Sequence, residues 1–412
     1  MTASPAPSDV RTELVAVARD VLEHTQNSTV RVTESVMTVP ATHYTDPAHF
    51  ELEKRRLFRR IPIVVAASCE VPNAGDQRPI DIAGVPVLVV RGRDGVARAF
   101  LNVCTHRGAV LAHDCTTAAR ITCPYHGWVF DDRGALVGIS GRADFGTIDT
   151  EQYALRQLPV RERAGLIWAV LDPTSTLDID GFLGVFGSML ERFGFEHWHV
   201  VAQRSLVGAN WKLAFDAHLE FYHLPVLHRA TFGSDTSAKA LYYHWGPHQR
   251  LVPPGRRAIR VAPVEGDLFG QTEWPESDWT DEAMMLGEWI IYPNISINTF
   301  YRGGRGVLIS QIFPGDTVDT STTVQTYLME RAPTDDERSE AISMFDFLGQ
   351  VVGTEDLPTS MAQQRALSSG LLPTVCFGRN EGGPQEFHRW TERIIAADDA
   401  DLNSLFVVDS HR

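Results

Sequence analysis

Four potential metal ligands occur in two short motifs in the first third of the chain. Cys104 and His106 have one residue between them, Cys123 and His126 have two, and sixteen residues separate His106 from Cys123. Thiolates are soft ligands that suit iron–sulfur chemistry, and two imidazoles in place of two thiolates raise the reduction potential of a cluster. The residue types and their spacing therefore predict that these four side chains hold a [2Fe-2S] cluster that transfers electrons.

A zinc site is the alternative for the same side chains, because zinc also binds cysteine and histidine. Zinc-finger spacing usually places two cysteines in one half of the site and two histidines in the other, whereas each half here contains one of each. Gly108 and Gly127 also allow tight turns that bring backbone amides toward the cluster sulfurs. The pattern therefore favours the iron–sulfur interpretation.

A second group of potential ligands lies in a segment that we predict to be one helix from Trp211 to Leu227. Within it, Asp216, Glu220 and His223 are spaced i, i+4 and i+7, so they would share one face of a helix. A carboxylate and an imidazole on one helix face can bind the same metal ion. The spacing therefore indicates a second metal centre.

A further imidazole, His228, follows shortly after this group. Pro225 would end or kink the helix near His223 and leave His228 free to return to the same metal. Two imidazoles and one carboxylate form the facial triad of non-haem iron(II) oxygenases, which leaves positions open for O2 and substrate. A histidine on a helix can also be purely structural, and the motif alone leaves that alternative open.

His218 and Glu220 imitate the start of a 2-oxoglutarate oxygenase triad. Residues i and i+2 lie on different faces of a helix, however, so we interpret His218 as a packing or pocket-lining residue.

The segments that must position these residues show two different patterns of predicted secondary structure. Short β-branched runs separated by turn residues predict antiparallel strands on both sides of the first motif, whereas the later segments are longer and mix helices with strands. This pattern predicts an α+β fold. The predicted helices are Val10–Glu23, Pro47–Arg59, Trp211–Leu227 and Asp335–Val352, and the predicted strands include Ile61–Ser68, Val85–Gly92, Val96–Val103, Leu166–Pro173, Ile290–Phe300, Val307–Pro314 and Thr322–Glu330.

Composition excludes several classes of partner. The 412 residues carry a formal net charge of -15, which argues against a broad basic face for nucleic acid or anionic lipid and favours a partner with a basic surface. The first residues lack a signal-peptide pattern and no apolar run approaches a membrane span, so we predict a cytoplasmic protein that does not enter the membrane. Five cysteines in so long a chain argue against a disulfide framework.

At the first motif the sequence resembles the Rieske proteins. Members of the bc1 type carry an extra cysteine in each cluster loop, where this chain has Ala109 and Tyr125, and the segment CPYHGW is similar to the oxygenase-type Rieske domain. With the second motif added, the resemblance is to the large (α) subunit of the ring-hydroxylating Rieske non-haem iron oxygenases and spans about Val39 to Arg393. It implies a small antiparallel β Rieske domain and a larger helix-grip-like catalytic domain with an antiparallel sheet. We predict an N-terminal helical segment packing on the catalytic domain (1–47), the Rieske domain (48–173) and the catalytic mononuclear iron domain (174–412).

The resemblance assigns roles to individual residues of the second motif. In this family an N-W-K segment precedes a carboxylate, then D/E-x-Y-H and a second histidine, so His223 and His228 become ligands of a mononuclear Fe(II). Glu220 becomes the carboxylate that links this iron, across a subunit boundary, to a cluster histidine of the neighbouring protomer. Asp356 is the third iron ligand, and Glu355 is the fallback. The alternative for this pair of carboxylates is a charge pair at a helix N-terminus that interacts with the helix macrodipole.

The same resemblance implies the activity and the partners. It predicts the terminal component of a multicomponent oxygenase that uses O2 and electrons from NAD(P)H to hydroxylate or demethylate a small organic substrate, aromatic ones included. Many ring dihydroxylases have Asp and Asn where this chain has Glu220 and Ala217, which keeps monooxygenation and demethylation open beside dihydroxylation. No dinucleotide-binding G-x-G-x-x-G follows a strand, so we predict a separate NAD(P)H-dependent reductase as the electron donor, with or without a ferredoxin. The family also implies a homotrimer, in some members with a small β subunit.

Two other functions remain open from the sequence. The chain would be a Rieske electron carrier with a non-catalytic binding domain if the histidines of the second motif were structural, or a regulator that keeps the fold without turnover. The substrate is not indicated. Arg256, Arg257 and Arg260 are candidate contacts for a carboxylated substrate, and an apolar set could line a pocket or pack the sheet; this set is Leu241, Tyr242, Tyr243, Trp245, Trp274 and Trp279.

Overall fold

The structure, a computed structural model, describes residues 7–234, 236–255, 268–272 and 274–407. The three arginines Arg256, Arg257 and Arg260 lie outside the described residues. The chain forms two compact units: unit 1 comprises Met1–Lys54, Gly181–Arg192 and Trp198–Arg412, and unit 2 comprises Arg55–Asp180 and Phe193–His197. No described helix is long and apolar enough to cross a lipid bilayer.

The N-terminal part of unit 1 is helical, as predicted. Its elements are α1 (Pro7–Asn27), β1 (Met37–Pro40), α2 (Thr42–Thr45) and α3 (Pro47–Glu53), and a π-helical segment, Lys54–Phe58, follows α3. The Asp46 carboxylate accepts a hydrogen bond of 2.8 Å from the backbone amide of Ala48. This cap and the fixed φ of Pro47 explain why α3 begins there.

Unit 2 is built from short antiparallel strands, which confirms the strands predicted on both sides of the first motif. The strands are β2 (Ile63–Ala67), β3 (Asp76–Ile82), β4 (Val85–Arg91), β5 (Ala97–Leu101), β6 (Thr116–Thr117), β7 (Ile121–Thr122), β8 (Val129–Phe130), β9 (Leu136–Gly138), β10 (Val160–Arg163) and β11 (Leu166–Ala169). They form three sheets with the orders β10-β11-β2, β5-β4-β3-β6 and β7-β8-β9. Leu88, Phe100, Trp128 and Phe130 pack together with Cys104 and Cys123 in one buried core, so the cluster motif is anchored in the interior of this unit.

The larger part of unit 1 is a seven-stranded antiparallel sheet with helices, which confirms the α+β prediction. Its strands are β12 (His199–Gly208), β13 (Leu241–Trp245), β14 (His248–Val252), β15 (Glu288–Ile291), β16 (Ile295–Phe300), β17 (Gly306–Pro314) and β18 (Ser321–Met329), in the order β12-β18-β17-β16-β15-β14-β13. β19 (Thr374–Phe377) pairs separately with β1. The α-helices that follow β11 in the chain are α4 (Ile179–Leu190), α5 (Trp211–Asp216), α6 (Leu224–Leu227), α7 (Arg229–Phe232), α8 (Asp281–Met284), α9 (Asp335–Val351), α10 (Leu357–Leu367), α11 (Gly382–Ala396) and α12 (Leu402–Leu405).

A row of polar side chains crosses the middle of this sheet. Ser296 on β16 pairs with Ser310 on β17, which pairs with Gln325 on β18. Directly paired residues of antiparallel strands point to the same face of the sheet. All three are at most 1% exposed. One face of the sheet is therefore polar in its buried centre.

Helices α9 and α10 are joined by a π-helical segment, Val352–Asp356, without a loop. Pro358, in the first turn of α10, has no amide hydrogen with which to continue an α-helical ladder, and π-helical turns, although rare, occur mostly as single turns inside longer helices. Glu355 and Asp356 therefore lie inside a helical run and not at a free helix N-terminus, so the charge-pair alternative for these two residues is wrong.

The prediction of one helix from Trp211 to Leu227 is wrong. Helix α5 ends at Asp216, and two turns separate it from α6. The Glu220 carboxylate accepts hydrogen bonds from the backbone amides of Tyr222 and His223, and such side-chain bonds compete with the helical ladder. Pro225 lies in the first turn of α6 and does not end a helix.

Asp216 consequently does not share a helix face with Glu220 and His223. Its carboxylate instead accepts a hydrogen bond of 2.9 Å from the Tyr44 hydroxyl and lies 3.0 Å from Nε2 of His388. The predicted grouping of Asp216 with the second metal centre is therefore corrected: Asp216 joins α5 to α2 and α11.

The Asn210-Trp211-Lys212 segment fixes the start of α5. Oδ1 of Asn210 accepts a hydrogen bond of 3.0 Å from the amide of Lys212, and the Trp211 indole donates to Glu53 at 2.8 Å. The Lys212 ammonium forms an ion pair with the same carboxylate, and both charged residues are at most 1% exposed. A fully buried ion pair thus attaches the helix that precedes the second metal motif to α3.

We expect Glu53→Gln to lower the free energy of unfolding by about 3 to 5 kcal/mol, because the Lys212 ammonium would stay buried without a charged partner. Chemical denaturation followed by tryptophan fluorescence measures the change. Glu276→Gln is the matched control, because Glu276 pairs with Arg19 where both side chains are exposed and such pairs contribute about 0 to 1 kcal/mol. Equally small effects of the two substitutions would contradict the expectation.

Candidate active site

The two cysteine–histidine loops of unit 2 close with the same type of turn. The amide of Gly108 donates a hydrogen bond of 2.9 Å to the carbonyl of Cys104, and the amide of Gly127 donates one of 3.0 Å to the carbonyl of Cys123. The two glycines have φ angles of 77° and 67°, which residues with a Cβ rarely adopt. Each loop thus turns tightly enough to direct one cysteine and one histidine toward the other loop.

The four side chains of these loops fit a [2Fe-2S] cluster. Cys104 and Cys123 are each 2% exposed, and the rings of His106 and His126 are 4.8 Å apart. The His106 ring stacks on Trp128 at 4.7 Å, and its buried Nδ1 has no hydrogen-bond partner among the described residues. A buried imidazole nitrogen without a partner is unfavourable unless it binds something else, and iron would be that partner.

The residues of the second motif converge in unit 1. Nε2 of His228 lies 3.2 Å from Oδ1 of Asp356, and Nε2 of His223 lies 3.9 Å from the same oxygen. One ligand atom from each of the three residues lies within 4.8 Å of the others. Two imidazole nitrogens and one carboxylate oxygen that point at one volume fit a single iron(II) ion with open coordination positions.

Each of the two imidazoles also contacts a further carboxylate through its other ring nitrogen, Nδ1. Oε1 of Glu220 lies 2.5 Å from Nδ1 of His223, and Oε2 of Glu355 lies 2.6 Å from Nδ1 of His228. A hydrogen bond at Nδ1 fixes the proton there and leaves the Nε2 lone pair for a metal. The role of Glu355 at His228 was not predicted from sequence, because it depends on the π-helical segment that brings two consecutive residues to one imidazole.

Electrostatics at His228 favour positive charge. Burial lowers its pKa, but the hydrogen bonds with Asp356 and Glu355 outweigh burial and raise the pKa overall. The Thr231 hydroxyl donates to Oε1 of Glu355, and this bond, followed by the one with His228, holds the pKa of Glu355 below its ordinary value. The carboxylates that attract a proton to this imidazole would also attract a metal cation.

A cavity of about 530 Å³ opens beside the three converging residues. This volume suits a small organic ligand. Aromatic and aliphatic side chains form most of its wall, and the polar face of the sheet contributes Asn298, Ser310, Thr323 and Gln325. The cavity therefore combines an apolar wall, a polar floor and a potential metal centre.

The cavity is not lined by the apolar set considered in the sequence. Leu241, Tyr243, Trp245 and Trp279 are buried packing residues, and Trp274 is half exposed. His218 does line the cavity, where its Nδ1 lies 3.4 Å from Oε1 of Glu288. Glu288 was missed as a site residue because a single glutamate at the start of a strand carries no sequence signal for a pocket.

Two family models match the chain. The model of the Rieske [2Fe-2S] domain matches residues 61–153, and the model of the ring hydroxylating alpha subunit (catalytic domain) matches residues 195–397. The first match contains both cysteine–histidine loops. It therefore assigns them to an iron–sulfur cluster and excludes the zinc alternative. The second contains all residues that converge at the candidate iron centre and those that line the cavity.

Individual proteins show the same relationship. The carnitine monooxygenase oxygenase subunit of Escherichia coli (strain K12) is 30% identical over 344 residues, which are 82% of this chain and 86% of that protein. The glycine betaine monooxygenase oxygenase subunit of Pseudomonas aeruginosa (strain UCBPP-PA14) is 32% identical over 211 residues, 50% of this chain and 48% of that protein. The solved structure of naphthalene 1,2-dioxygenase from Rhodococcus sp. shares the fold, with a TM-score of 0.73, 20% identity and coverage of 94% of this chain and 99% of that one.

These matches agree with the two groups of converging ligands. The cluster loops belong to a Rieske domain, and the seven-stranded sheet with its helices belongs to a catalytic domain of the kind that binds a mononuclear iron. The long match to an oxygenase subunit covers both. The chain therefore belongs to the Rieske non-haem iron oxygenases, as a large (α) subunit.

Proposed function

We propose that this chain is the terminal component of a multicomponent Rieske monooxygenase that hydroxylates or oxidatively demethylates a small organic substrate. Electrons would come from NAD(P)H through a separate reductase, with or without a ferredoxin. The observation that carries the proposal is the convergence of His223, His228 and Asp356 at the wall of a ligand-sized cavity. A pure electron carrier has no need of such a cavity.

The residue roles follow from this arrangement. Residues 48–173 hold the cluster through Cys104, His106, Cys123 and His126, residues 174–412 hold the iron, and residues 1–47 pack on the latter. The iron ligands are His223, His228 and Asp356. When bound, the cluster supplies single electrons and the iron activates O2. The apolar wall of the cavity excludes water from the substrate, while Glu220 and Glu355 orient the two imidazoles.

Glu220 is also the residue we assign to the contact between protomers. Its Oε1 holds Nδ1 of His223, and it is 9% exposed in a single chain. We propose that it links His223 to a cluster histidine of the next protomer in a homotrimer, because head-to-tail contacts must close into a ring to avoid a filament. A small β subunit is compatible with the same ring.

Two curated relatives support monooxygenation as the reaction class. The two curated relatives described above are named as monooxygenases of carnitine and of glycine betaine. The departures at Glu220 and Ala217 from the residues of many ring dihydroxylases point the same way. Carnitine and glycine betaine are therefore the first substrates to test.

The test combines metal analysis with turnover. We expect the holoenzyme to contain about three iron atoms per chain and to consume O2 with NAD(P)H, a competent reductase and a substrate, with formation of a hydroxylated or demethylated product. His223→Ala should contain about two iron atoms per chain and form no product. An electron carrier would contain about two iron atoms from the start, and its activity would not change on this substitution.

A further inference from the structure

Glu288 is a buried carboxylate at the floor of the cavity. It begins β15, is 6% exposed and lines the cavity. Its Oε1 accepts a hydrogen bond from the Ser296 hydroxyl, which in turn accepts one of 3.0 Å from the Asn298 amide. The Glu288 carboxylate is thus held in place by the polar row of the sheet and has a fixed orientation toward the cavity.

Glu288 has no lysine or arginine partner in the part of the chain that the structure describes. Its titratable neighbour there is the His218 imidazole, whose Nδ1 lies 3.4 Å from Oε1 of Glu288, a distance longer than a normal hydrogen bond between these atoms. An ionised carboxylate taken out of water without a countercharge is strongly unfavourable. A ligand that brings a positive charge into the cavity would remove this cost.

The other carboxylates that line the cavity in the described part of the chain already have partners. Glu282 lies 3.8 Å from Arg305, which also pairs with Glu330 at 2.9 Å. Asp356 faces the two imidazoles, and Glu220 holds His223. Among the described residues that line the cavity, Glu288 is therefore the acid without a basic partner.

Two further features of the cavity suit a cation. Oε1 of Gln325, a residue 1% exposed, has no hydrogen-bond donor among the described residues, so it adds a second acceptor to the cavity floor in addition to Glu288. The wall includes the rings of Phe221, Phe232, Phe300 and Phe347. The faces of aromatic rings carry partial negative charge and attract alkylated ammonium groups, which are poorly hydrated.

We infer that Glu288, supported by His218, is the residue that selects the substrate, and that the substrate carries a positively charged, alkylated nitrogen. This inference rests on the proposed function, because it takes the cavity beside the iron ligands as the substrate site. Glu288 acts through charge and does not take part in the oxidation.

Binding to the oxidised holoenzyme, without reductase or reductant, tests the inference. The probes are choline and 3,3-dimethyl-1-butanol, which have the same shape and differ in the charge of one atom. We expect isothermal titration calorimetry to show choline binding at least about 10-fold more tightly than the alcohol. Equal binding of the two probes, or no binding of choline below about 10 mM, would overturn the inference. This comparison needs no variant.

Glu288→Gln should weaken choline binding about 10-fold or more and leave the binding of the alcohol unchanged. Glu340→Gln is the matched control, because it removes the same charge from an exposed position on α9 and should alter neither affinity. A Glu288→Gln protein that loses both probes equally would assign Glu288 to the shape of the cavity and not to charge recognition. Failure of the proposed function would appear separately, as absence of reductase-dependent O2 uptake while choline is still distinguished from the alcohol.

Discussion

Asp356→Ala should reduce the iron content from about three to about two atoms per chain and abolish product formation. The substitution removes the oxygen that lies 3.2 Å from Nε2 of His228 and 3.9 Å from Nε2 of His223, so two neutral ligands would remain for the metal. Iron analysis and the visible spectrum of the cluster measure the two centres separately. We expect the cluster spectrum to stay intact.

Glu355→Gln is the matched control for Asp356→Ala, because the two carboxylates are adjacent and the sequence alone left either as the third ligand. Glutamine keeps a hydrogen-bond acceptor at Nδ1 of His228 but loses the charge. We expect the variant to bind the mononuclear iron, with affinity lowered about 10- to 100-fold. If Glu355→Gln loses the iron completely and Asp356→Ala retains it, the assignment of the two residues must be exchanged.

Glu220→Gln should retain both metal centres and still lose about 10- to 100-fold or more in product formation. The glutamine can accept the Nδ1 hydrogen of His223, but its NH2 end cannot accept from the backbone amides of Tyr222 and His223 as Oε2 of Glu220 does, so the side chain moves and its contact with a neighbouring protomer changes. The measurement is the reoxidation of the reduced cluster after O2 and substrate are added. We expect the cluster to stay reduced much longer than in the unmodified protein.

The control for this second prediction is again Glu355→Gln. It alters the carboxylate at Nδ1 of His228, and this carboxylate has no proposed role between protomers. With iron supplied in excess, its cluster should reoxidise at close to the normal rate. A Glu220→Gln protein that reoxidises its cluster normally would remove Glu220 from the electron path.

The part of the fold and site that follows from sequence is the part with short-range determinants. Cys104 and His106 belong to one tight loop, so their spacing alone indicated a shared metal. β-branched runs and turn residues located β4, β5 and the other strands near the cluster, because strand and turn preferences are local. His223 and His228 were found in the same way, as near neighbours in the chain.

The features that sequence did not predict depend on distant contacts or on departures from regular geometry. The helix through Asp216 and Glu220 was extended too far, because its periodic pattern does not reveal that the Glu220 carboxylate binds the following amides. Glu355 reaches His228 only through a π turn. Glu288 meets His218 only after β15 has paired into the sheet.

The π-helical segment Val352–Asp356 also limits which insertions and deletions this part of the chain can tolerate. A π turn contains one residue more than an α turn, so the loss of a single residue there would restore a regular helix and rotate every preceding side chain by about 100° relative to α10. Such a rotation would carry the face of α9 that packs on Tyr327 away from the sheet. Point substitutions leave the residue count intact, whereas small deletions and insertions in this helical run do not, and selection on the enzyme should therefore hold the length of this segment more strictly than its composition.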